Sequence, residues 1–427
     1  MPYLTTRLQA CTPCVRQLLL SELLGLLASA ATQTGVAWWI AGQGGGADMA
    51  VYGAVTALCS LLAMPLLSPF GDRWPKQQLV RLARTGLLLD ALALALLASS
   101  GLYSLALLCA CSVLATLANA LLLPAQASML PELVATEQLP EAIRLRRTAQ
   151  AIGSLLGPGL SGALLAFGGV APAMTLNVLL FGLACLAAQR LKQAPYAAAP
   201  PGSRGWRSDI SAGLRAKWGV TLDRWWSLTG ALMMIFLLPA IGMLLPLRLQ
   251  SMQLSALWFG ACGAALSVGL LMGLAGLADA LTDRLGRVRA IGVAVALCGL
   301  AVGSIGVCDS APGLLALFAL IGLSMSVTQL VGQTHRALAV PENFRARMAA
   351  GQMMIAQLAA ALAPAIAGLL LLRWEVAEVY LWLSAGFLGS GLLLLAVPEL
   401  RPFLRLDHEQ VKNWYGRRYP EAFAARR

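Results

Sequence analysis

Residues 68–77 read SPFGDRWPKQ, and residues 279–288 read DALTDRLGRV. Each stretch joins two long apolar runs, and each contains an Asp-Arg pair followed three residues later by a second basic residue. The shared positions are Asp72, Arg73 and Lys76 in the first stretch and Asp283, Arg284 and Arg287 in the second, 211 residues later. This recurrence indicates an internal repeat of about half the chain.

Two further motifs recur at nearly the same distance. Pro131-Glu132 returns as Pro341-Glu342, 210 residues later, and LGPGLSG at 156–162 returns as LAPAIAG at 362–368, 206 residues later. Because all three pairs occupy equivalent places among the apolar runs, we predict two six-helix halves related as parallel repeats.

The composition predicts a membrane protein. Of 427 residues, 59% are hydrophobic and 12% are charged, whereas soluble domains average about 45–50% and about 25%. Apolar runs of about 20 residues are long enough to cross a bilayer core of ~30 Å. Twelve such runs are found, at 17–40, 50–70, 82–100, 103–123, 149–167, 171–188, 226–247, 257–281, 290–308, 312–333, 349–372 and 376–397. We therefore predict an all-α polytopic protein with 12 transmembrane helices, which excludes a soluble enzyme, a nucleic-acid-binding protein and a secreted scaffold.

The basic residues predict the orientation. Of the 31 Lys and Arg residues, 29 fall on one side of the predicted spans, and only Arg248 and Arg373 fall on the other. Basic residues in short loops stay in the cytoplasm. We therefore expect a multi-pass protein of the inner membrane with both termini in the cytoplasm.

The same pass along the chain predicts its domains. They are a six-helix bundle at 1–189, a cytoplasmic linker at 190–225, a second bundle at 226–398 and a basic cytoplasmic tail at 399–427. Ile210, Leu214 and Trp218 recur at helical spacing, which favours a short amphipathic helix on the membrane face. We expect the tail to be solvated or to touch anionic lipid.

These motifs resemble those of a known family. Asp72-Arg73 with Lys76 resembles the major facilitator superfamily signature G-x-x-x-D-R-x-G-R-R, and Gly153, Gly157, Pro158 and Gly162 resemble the antiporter motif of proton-coupled drug exporters. The runs 123–139 and 209–214 are similar to the macrolide- and siderophore-exporting branch. The resemblance implies two parallel-repeat six-helix bundles that transport by alternating access, with a proton gradient as the driving force and no cofactor.

The resemblance also implies roles for the motif residues. In that family the Asp-Arg loops latch one conformational state, and the alternative is that these charges only orient the chain. Gly153, Gly157, Pro158 and Gly162 predict a bent, closely packed helix that controls leak, or helix packing alone.

Polar stripes on the spans predict the transport site, because helices 1, 4, 7 and 10 line the central cavity in the resembled fold. The candidates are Glu22, Ser29 and Gln33 in span 1, Ser112, Thr116 and Asn119 in span 4, Met233 and Phe236 in span 7, and Ser326, Gln329 and Gln333 in span 10. Glu22 is the main candidate for proton coupling, since a carboxyl in a membrane span is expensive when charged. It could instead pair with Arg16 or a loop arginine. Asp90 lies in a scaffold helix, and either pairing with a neighbouring helix or a transport role is open.

We therefore expect a secondary exporter of an amphipathic small molecule, drug-like or siderophore-like, working by proton antiport. The alternative is a proton-coupled uptake symporter for a metabolite. A membrane prenyltransferase-like enzyme is a distant third, because Asp279-x-x-x-Asp283 lacks the second Asp-rich site that such enzymes need. The expected partners are a small-molecule substrate and the lipid bilayer, without nucleic acid or metal, and we expect the protein to act as a monomer.

Overall fold

The structure is a computed structural model that describes residues 12–134, 139–191, 214–341 and 344–423. Within these ranges the regular structure is helical throughout. Eleven helices of the described part are long and apolar enough to cross a membrane, judged by length and composition. The predicted span at 149–167 falls in a further helix, Leu139–Gly168, whose shorter apolar part is Leu156–Gly168. This agrees with the predicted all-α architecture of 12 transmembrane helices.

The chain divides by its contacts into two units. Unit 1 comprises residues 1–200 with 253–264, and unit 2 comprises 201–252 with 265–427. The first six helices are α1 (Pro13–Gln43), α2 (Gly45–Arg73), α3 (Lys76–Ser99), α4 (Leu105–Leu133), α5 (Leu139–Gly168) and α6 (Val170–Gln189). In unit 1, α1 packs on α5 and α6, and α3 packs on α4 and α6.

The second half has more breaks. Its helices are α7 (Thr221–Ile241), α8 (Leu244–Ser251), α9 (Ala256–Met272), α10 (Ala278–Leu285), α11 (Arg287–Val307), α12 (Ala311–Ala339), α13 (Arg345–Leu371) and α14 (Val376–Leu395). In unit 2, α7 packs on α13 and α14, and α11 packs on α12 and α14. The tail adds α15 (Leu400–Arg405), α16 (His408–Val411), α17 (Trp414–Arg418) and α18 (Pro420–Phe423).

Several helices run beyond the predicted apolar windows. α1 begins four residues before the predicted span at 17–40 because Pro13 occupies its first turn and the Thr12 hydroxyl accepts a hydrogen bond from the Val15 amide, at 3.5 Å. Proline is favoured in a first helical turn, and threonine is a common N-cap. Capping follows local backbone chemistry, so it extends a helix past its membrane-embedded part.

Two glycines lie on either side of the short helix that carries the second Asp-Arg pair. After α9, a π-turn at Gly273–Leu277 includes Gly276 at φ +116°, and Gly286 separates α10 from α11 at φ +76°. Positive φ values of this size favour glycine over residues that carry a Cβ. The breaks leave α10 as a separate eight-residue helix that holds Asp283 and Arg284.

The described part of the tail packs within unit 2 through some of its side chains, while its Lys and Arg side chains are exposed. The expected contact of the tail with water or anionic lipid stays a prediction. Phe403, Val411 and Tyr415 are fully buried. The Asn413 amide donates to the Leu338 carbonyl at 3.0 Å, and the His335 ring lies edge-on to Phe403. The tail is basic in net charge, but its aromatic side chains bury apolar area that overrides this.

Part of the linker forms a short helix that packs on the tail, and its predicted place on a membrane face stays a prediction. Residues 214–219 form a short helix in which Ala216 and Lys217 are buried while Trp218 is exposed. A Cβ at Gly219 would meet Ala422 at 2.8 Å, so this helix lies against the end of the tail. Ile210, the first residue of the predicted amphipathic stripe, lies outside the described residues.

Candidate functional site

Glu22 forms a hydrogen-bonded ion pair in unit 1. It is 3% exposed, nine residues into α1. Arg146 Nε of α5 lies 2.9 and 2.8 Å from its two carboxylate oxygens, and Gln150 Nε2 donates to Oε1 at 2.7 Å. Arg146 and Gln150 are four residues apart and therefore share one face of α5. The predicted alternative, a carboxylate paired with an arginine, is the arrangement found here.

Arg84 is the second buried cation of this cluster. It is one of the 29 basic residues expected on the cytoplasmic side, yet it is 2% exposed and lies inside α3. Its Nε donates to Ser21 Oγ at 3.1 Å, and its guanidinium lies where a Cβ at Gly25 would be, within electrostatic reach of Glu22. The helix begins at Lys76, so Arg84 falls two turns inside it.

A second buried carboxylate occupies the start of α7 in unit 2. Asp223 is 2% exposed and sits in the first turn of its helix, where the helix dipole favours a negative charge. Arg336 of α12 donates from Nε to Asp223 Oδ1 at 2.9 Å, and Lys217 Nζ of the linker helix donates to Oδ2 at 2.6 Å. The Tyr415 hydroxyl of the tail donates to Oδ1 at 3.2 Å.

Uncharged side chains complete this second cluster. Arg336 Nη2 donates to Ser227 Oγ at 2.7 Å and to Gln352 Oε1 of α13 at 3.1 Å. The guanidinium also lies 5.1 Å from the centre of the Trp226 ring, a cation–π distance. One network therefore joins α7, α12, α13, the linker helix and the tail.

The electrostatics of this network follow from burial. Burial lowers the pKa of Lys217 from 10.5 to about 8, although Asp223 acts in the opposite direction. Burial, reinforced by the Asp223 charge, raises the pKa of Tyr415 well above its ordinary value, so the phenol stays a hydrogen-bond donor. Because buried charges need partners, each group here depends on the others.

The predicted antiporter-motif helix packs closely within unit 1. A Cβ at Gly157 would meet both Ala30 Cβ and the Leu27 carbonyl of α1 at 2.7 Å, and one at Gly153 would meet Leu26 Cβ at 3.0 Å. A Cβ at Gly162 would meet the Ala256 carbonyl at 2.8 Å, and Pro158 stands inside the helix. The small residues therefore allow close backbone approach, as both readings of the motif require.

The predicted latch residues are partly described. The side chains of Asp72 and Arg73 lie outside the described part of the structure, as does that of Gln333. Asp283 and Arg284 are exposed on α10, Lys76 is half-buried at the start of α3, and Arg287 Nη1 donates to the Leu406 carbonyl of the tail at 2.8 Å. The basic residue of the second motif thus contacts the tail.

The residues of each predicted polar stripe differ in burial and in hydrogen-bond partner. In α1, Ser29 is half-buried and Gln33 is exposed, whereas in α4 Ser112 is buried 3.1 Å from Thr56 Oγ1. Thr116 is half-buried, and Asn119 donates to the Ala115 carbonyl of its own helix at 2.9 Å.

The candidate residues of span 7 and span 10 also differ in their surroundings. Phe236 lies against Gly386 of α14, and Ser326 is buried against Gly273, while Met233 and Gln329 line a common cavity. Residues predicted on one helix face therefore differ in what they contact.

That cavity has a volume of about 230 Å³ and lies inside unit 2. Its wall is mostly apolar and includes Trp226, Met233, Met325 and Phe387. Ser324 also lines it, and its hydroxyl is buried with no hydrogen-bond partner among the described residues. An apolar chamber with few polar groups suits a small organic ligand.

Sequence reasoning missed most of the charged partners. Asp223 lies in the predicted linker, three residues before span 7, and Gln352 was not among the predicted site residues. An acid at the start of an apolar span was the available signal for Asp223, but nothing local pointed to Arg336 or Tyr415, which lie 113 and 192 residues away. Among the described residues, no group of three or more His, Cys, Asp or Glu side chains could hold a metal ion.

The sequence profile of the Major Facilitator Superfamily matches residues 18–308 and 274–418. The chain belongs to the Major Facilitator Superfamily. This confirms the superfamily expected from the Asp-Arg loops, and it makes the protein a transporter and not an enzyme. The macrolide-efflux branch is a finer assignment than this match supports. No curated protein sequence matches the chain significantly.

Solved structures support the same fold. A bacterial homologue of the iron transporter ferroportin is 18% identical with a TM-score of 0.69, covering 92% of this chain and 99% of that one. The nucleoside transporter NupG is 12% identical with a TM-score of 0.70, covering 90% and 99%. A bacterial homologue of the lysosomal transporter Spinster is 15% identical with a TM-score of 0.67, covering 100% and 99%. At these identities the likeness concerns the fold.

Proposed function

We propose that this transporter exports an amphipathic small molecule across the inner membrane in exchange for protons, by alternating access. The span 5 motif and the runs that resemble the macrolide- and siderophore-exporting branch support export and a drug-like or siderophore-like substrate. The distribution of the basic residues supports cytoplasmic termini. We take the acting species to be a monomer.

The unit 2 cavity is the observation that carries this proposal. Met233 and Met325 present flexible, polarizable thioethers, which adapt to ligands of different shape. Gln329 and the unpartnered Ser324 hydroxyl supply polar contacts at the same wall. At about 230 Å³ the cavity is smaller than drug-sized pockets of ~300–1,000 Å³, so it would hold one apolar portion of an amphipathic ligand.

The buried ion pairs support the mechanical part of the proposal. Alternating access needs bundles that move as bodies, and Glu22 with Arg146 fixes α1 to α5 while Asp223 with Arg336 fixes α7 to α12. We assign Asp72, Arg73 and Lys76, with Asp283, Arg284 and Arg287, to the latch that stabilises one conformational state. Glu22 can take part in proton coupling only if its pair with Arg146 opens.

The direction of transport is tested in a deletion strain of the native host. Metabolites inside the cells and in the medium are compared with those of the same strain complemented by the wild-type gene. Export predicts that the deletion accumulates a compound inside and loses it from the medium, and that complementation restores both. Depletion inside with accumulation outside would identify the uptake symporter instead.

The cavity is tested in the same strain with matched methionine variants. Met233→Ala, in the cavity wall, is expected to reduce export of the identified compound several-fold. Met353→Ala changes a methionine that is 71% exposed on α13, outside the cavity, and is expected to export as the wild type does. Equal export by both variants at equal membrane abundance would remove the cavity from the proposal.

A further inference from the structure

Asp90 is a buried carboxyl at mid-helix. It lies 14 residues into the 24-residue α3, about 21 Å along an axis of about 36 Å, and is 2% exposed. That depth is where a charged side chain in a membrane helix is least stable.

The surroundings of Asp90 hold no cation within the described residues. The Cys111 thiol of α4 is its side-chain hydrogen-bond partner, and Oδ1 has none. Tyr52 of α2 is the other titratable group near the carboxyl, and Cys109 of α4 lies near Tyr52. α6, which also packs on α3, carries no charged side chain, and its one titratable residue, Cys185, lies 3.7 Å from Thr85, over a turn away from Asp90.

The other two buried acids form a contrast. Glu22 is held by Arg146, and Asp223 is held by Arg336 and Lys217. Both acids therefore have cationic partners, and both join helices. Among the described residues, the polar groups beside Asp90 are the Tyr52 hydroxyl and the Cys111 thiol, so the neutral carboxylic acid is the form that fits this site.

We propose that Asp90, and not Glu22, is the proton-binding carboxyl of the transport cycle. Binding takes one proton from water and forms one O–H bond on the carboxylate, and release returns that proton to water when the surroundings of α3 become wet. The inference rests on the proposed proton exchange. It gives a role to a buried acid of a scaffold helix that has no cationic partner among the described residues.

Infrared difference spectroscopy between acidic and alkaline buffer tests this on the full-length protein in nanodiscs, without any substrate. We expect a pH-dependent carbonyl-stretch band of a protonated carboxylic acid that shifts in heavy water. Asp90→Asn should abolish the band, Asp90→Glu should shift it, and Glu22→Gln should leave it in place. A band that survives Asp90→Asn, or that only Glu22→Gln removes, would overturn the proposal, as would its absence from the wild type.

Failure of the proposed function is separable from failure of this inference. If complementation by the wild-type gene moves no compound outward, export is wrong whatever the spectrum shows. If the wild type exports and Asp90→Asn exports equally well with unchanged pH dependence, Asp90 does not couple transport. Asp90→Glu distinguishes loss of the acid from loss of folding, because it keeps a titratable group and is expected to retain part of the transport.

Discussion

Asp223→Asn removes the single negative charge from the buried network of unit 2. The substitution keeps the size of the side chain but replaces an oxygen that accepts from Lys217 at 2.6 Å, or from Arg336 at 2.9 Å, with an amide that donates. Two buried cations would then face each other without an anion. The perturbation is therefore electrostatic and leaves the packing volume unchanged.

The expected magnitude follows from burial. Breaking a buried ion pair by removing one partner destabilises a protein by about 3–5 kcal/mol, because the remaining charge is desolvated and unpaired. For a unit of this size, 1 kcal/mol corresponds to about 2–4 °C in melting temperature. We therefore expect Asp223→Asn to lower the melting temperature by roughly 6–20 °C.

The assay follows the exposure of buried cysteines on heating, with a thiol-reactive dye that fluoresces when bound. Cys298 reports on unit 2 and Cys185 on unit 1, because both thiols are free and buried. Peptide mapping of the labelled cysteines at each temperature should show Cys298 reacting earlier in the variant, with Cys185 less affected.

Glu399→Gln is the matched control, since it removes an acid of the same unit whose partner Arg418 is 61% exposed at the side chain. Exposed pairs contribute about 0–1 kcal/mol, so this variant should melt within a few degrees of the wild type. If Asp223→Asn melts no earlier than Glu399→Gln, Asp223 does not hold unit 2 together and the reasoning fails.

Three other substitutions are expected to act through different physics. Gly157→Val places atoms where the α1 backbone approaches to 2.7 Å, so overpacking should cost about 1–3 kcal/mol and lower the melting temperature of unit 1. Gly159→Val is the control, because a Cβ at Gly159 meets open space and the melting temperature should stay unchanged. Lys217→Met should remove a pH dependence of stability. Burial lowers the pKa of Lys217 to about 8, so above that pH the unfolded state binds more protons than the folded state. The melting temperature of the wild type should therefore rise relative to that of the variant from about pH 8 to 10, and the two should run parallel below pH 8. Tyr415→Phe removes one hydrogen bond to a carboxylate that keeps two cations, so unfolding measured in urea should become easier by only about 1 kcal/mol.

Much of the fold could be predicted because membrane insertion acts locally. A run of about 20 apolar residues is sufficient to specify a spanning helix, while the orientation expected from the basic residues beside it stays a prediction. The repeat of Asp72-Arg73 at Asp283-Arg284 then predicts the two halves. The helix breaks at Gly276 and Gly286 were less accessible, because glycine is common in membrane helices and only a positive φ distinguishes these positions.

The site was predicted less well because its residues meet through tertiary structure. Glu22 could be selected as a rare acid within a span, but the choice of Arg146 as its partner depends on how α1 packs on α5. Arg84 lies near the start of the predicted span at 82–100, but α3 begins at Lys76, so this cation falls two turns inside the helix and is buried. Helix boundaries and helix neighbours therefore decide roles that composition leaves open.

The tail shows that net charge alone does not predict which side chains of a segment are buried. Seven of its residues are basic, which predicted contact with water or lipid, yet Tyr415 reaches Asp223 and the Leu406 carbonyl accepts from Arg287. The described positive charges remain at the surface while the Phe403 and Tyr415 rings are buried, so net charge and burial are carried by different atoms. Because the same segment contacts both Arg287, which we propose as a latch residue, and the buried Asp223, movement of the Arg287 turn in unit 2 has to be accommodated by the tail. A transport cycle that uses this latch therefore involves the tail as a structural part of the second bundle.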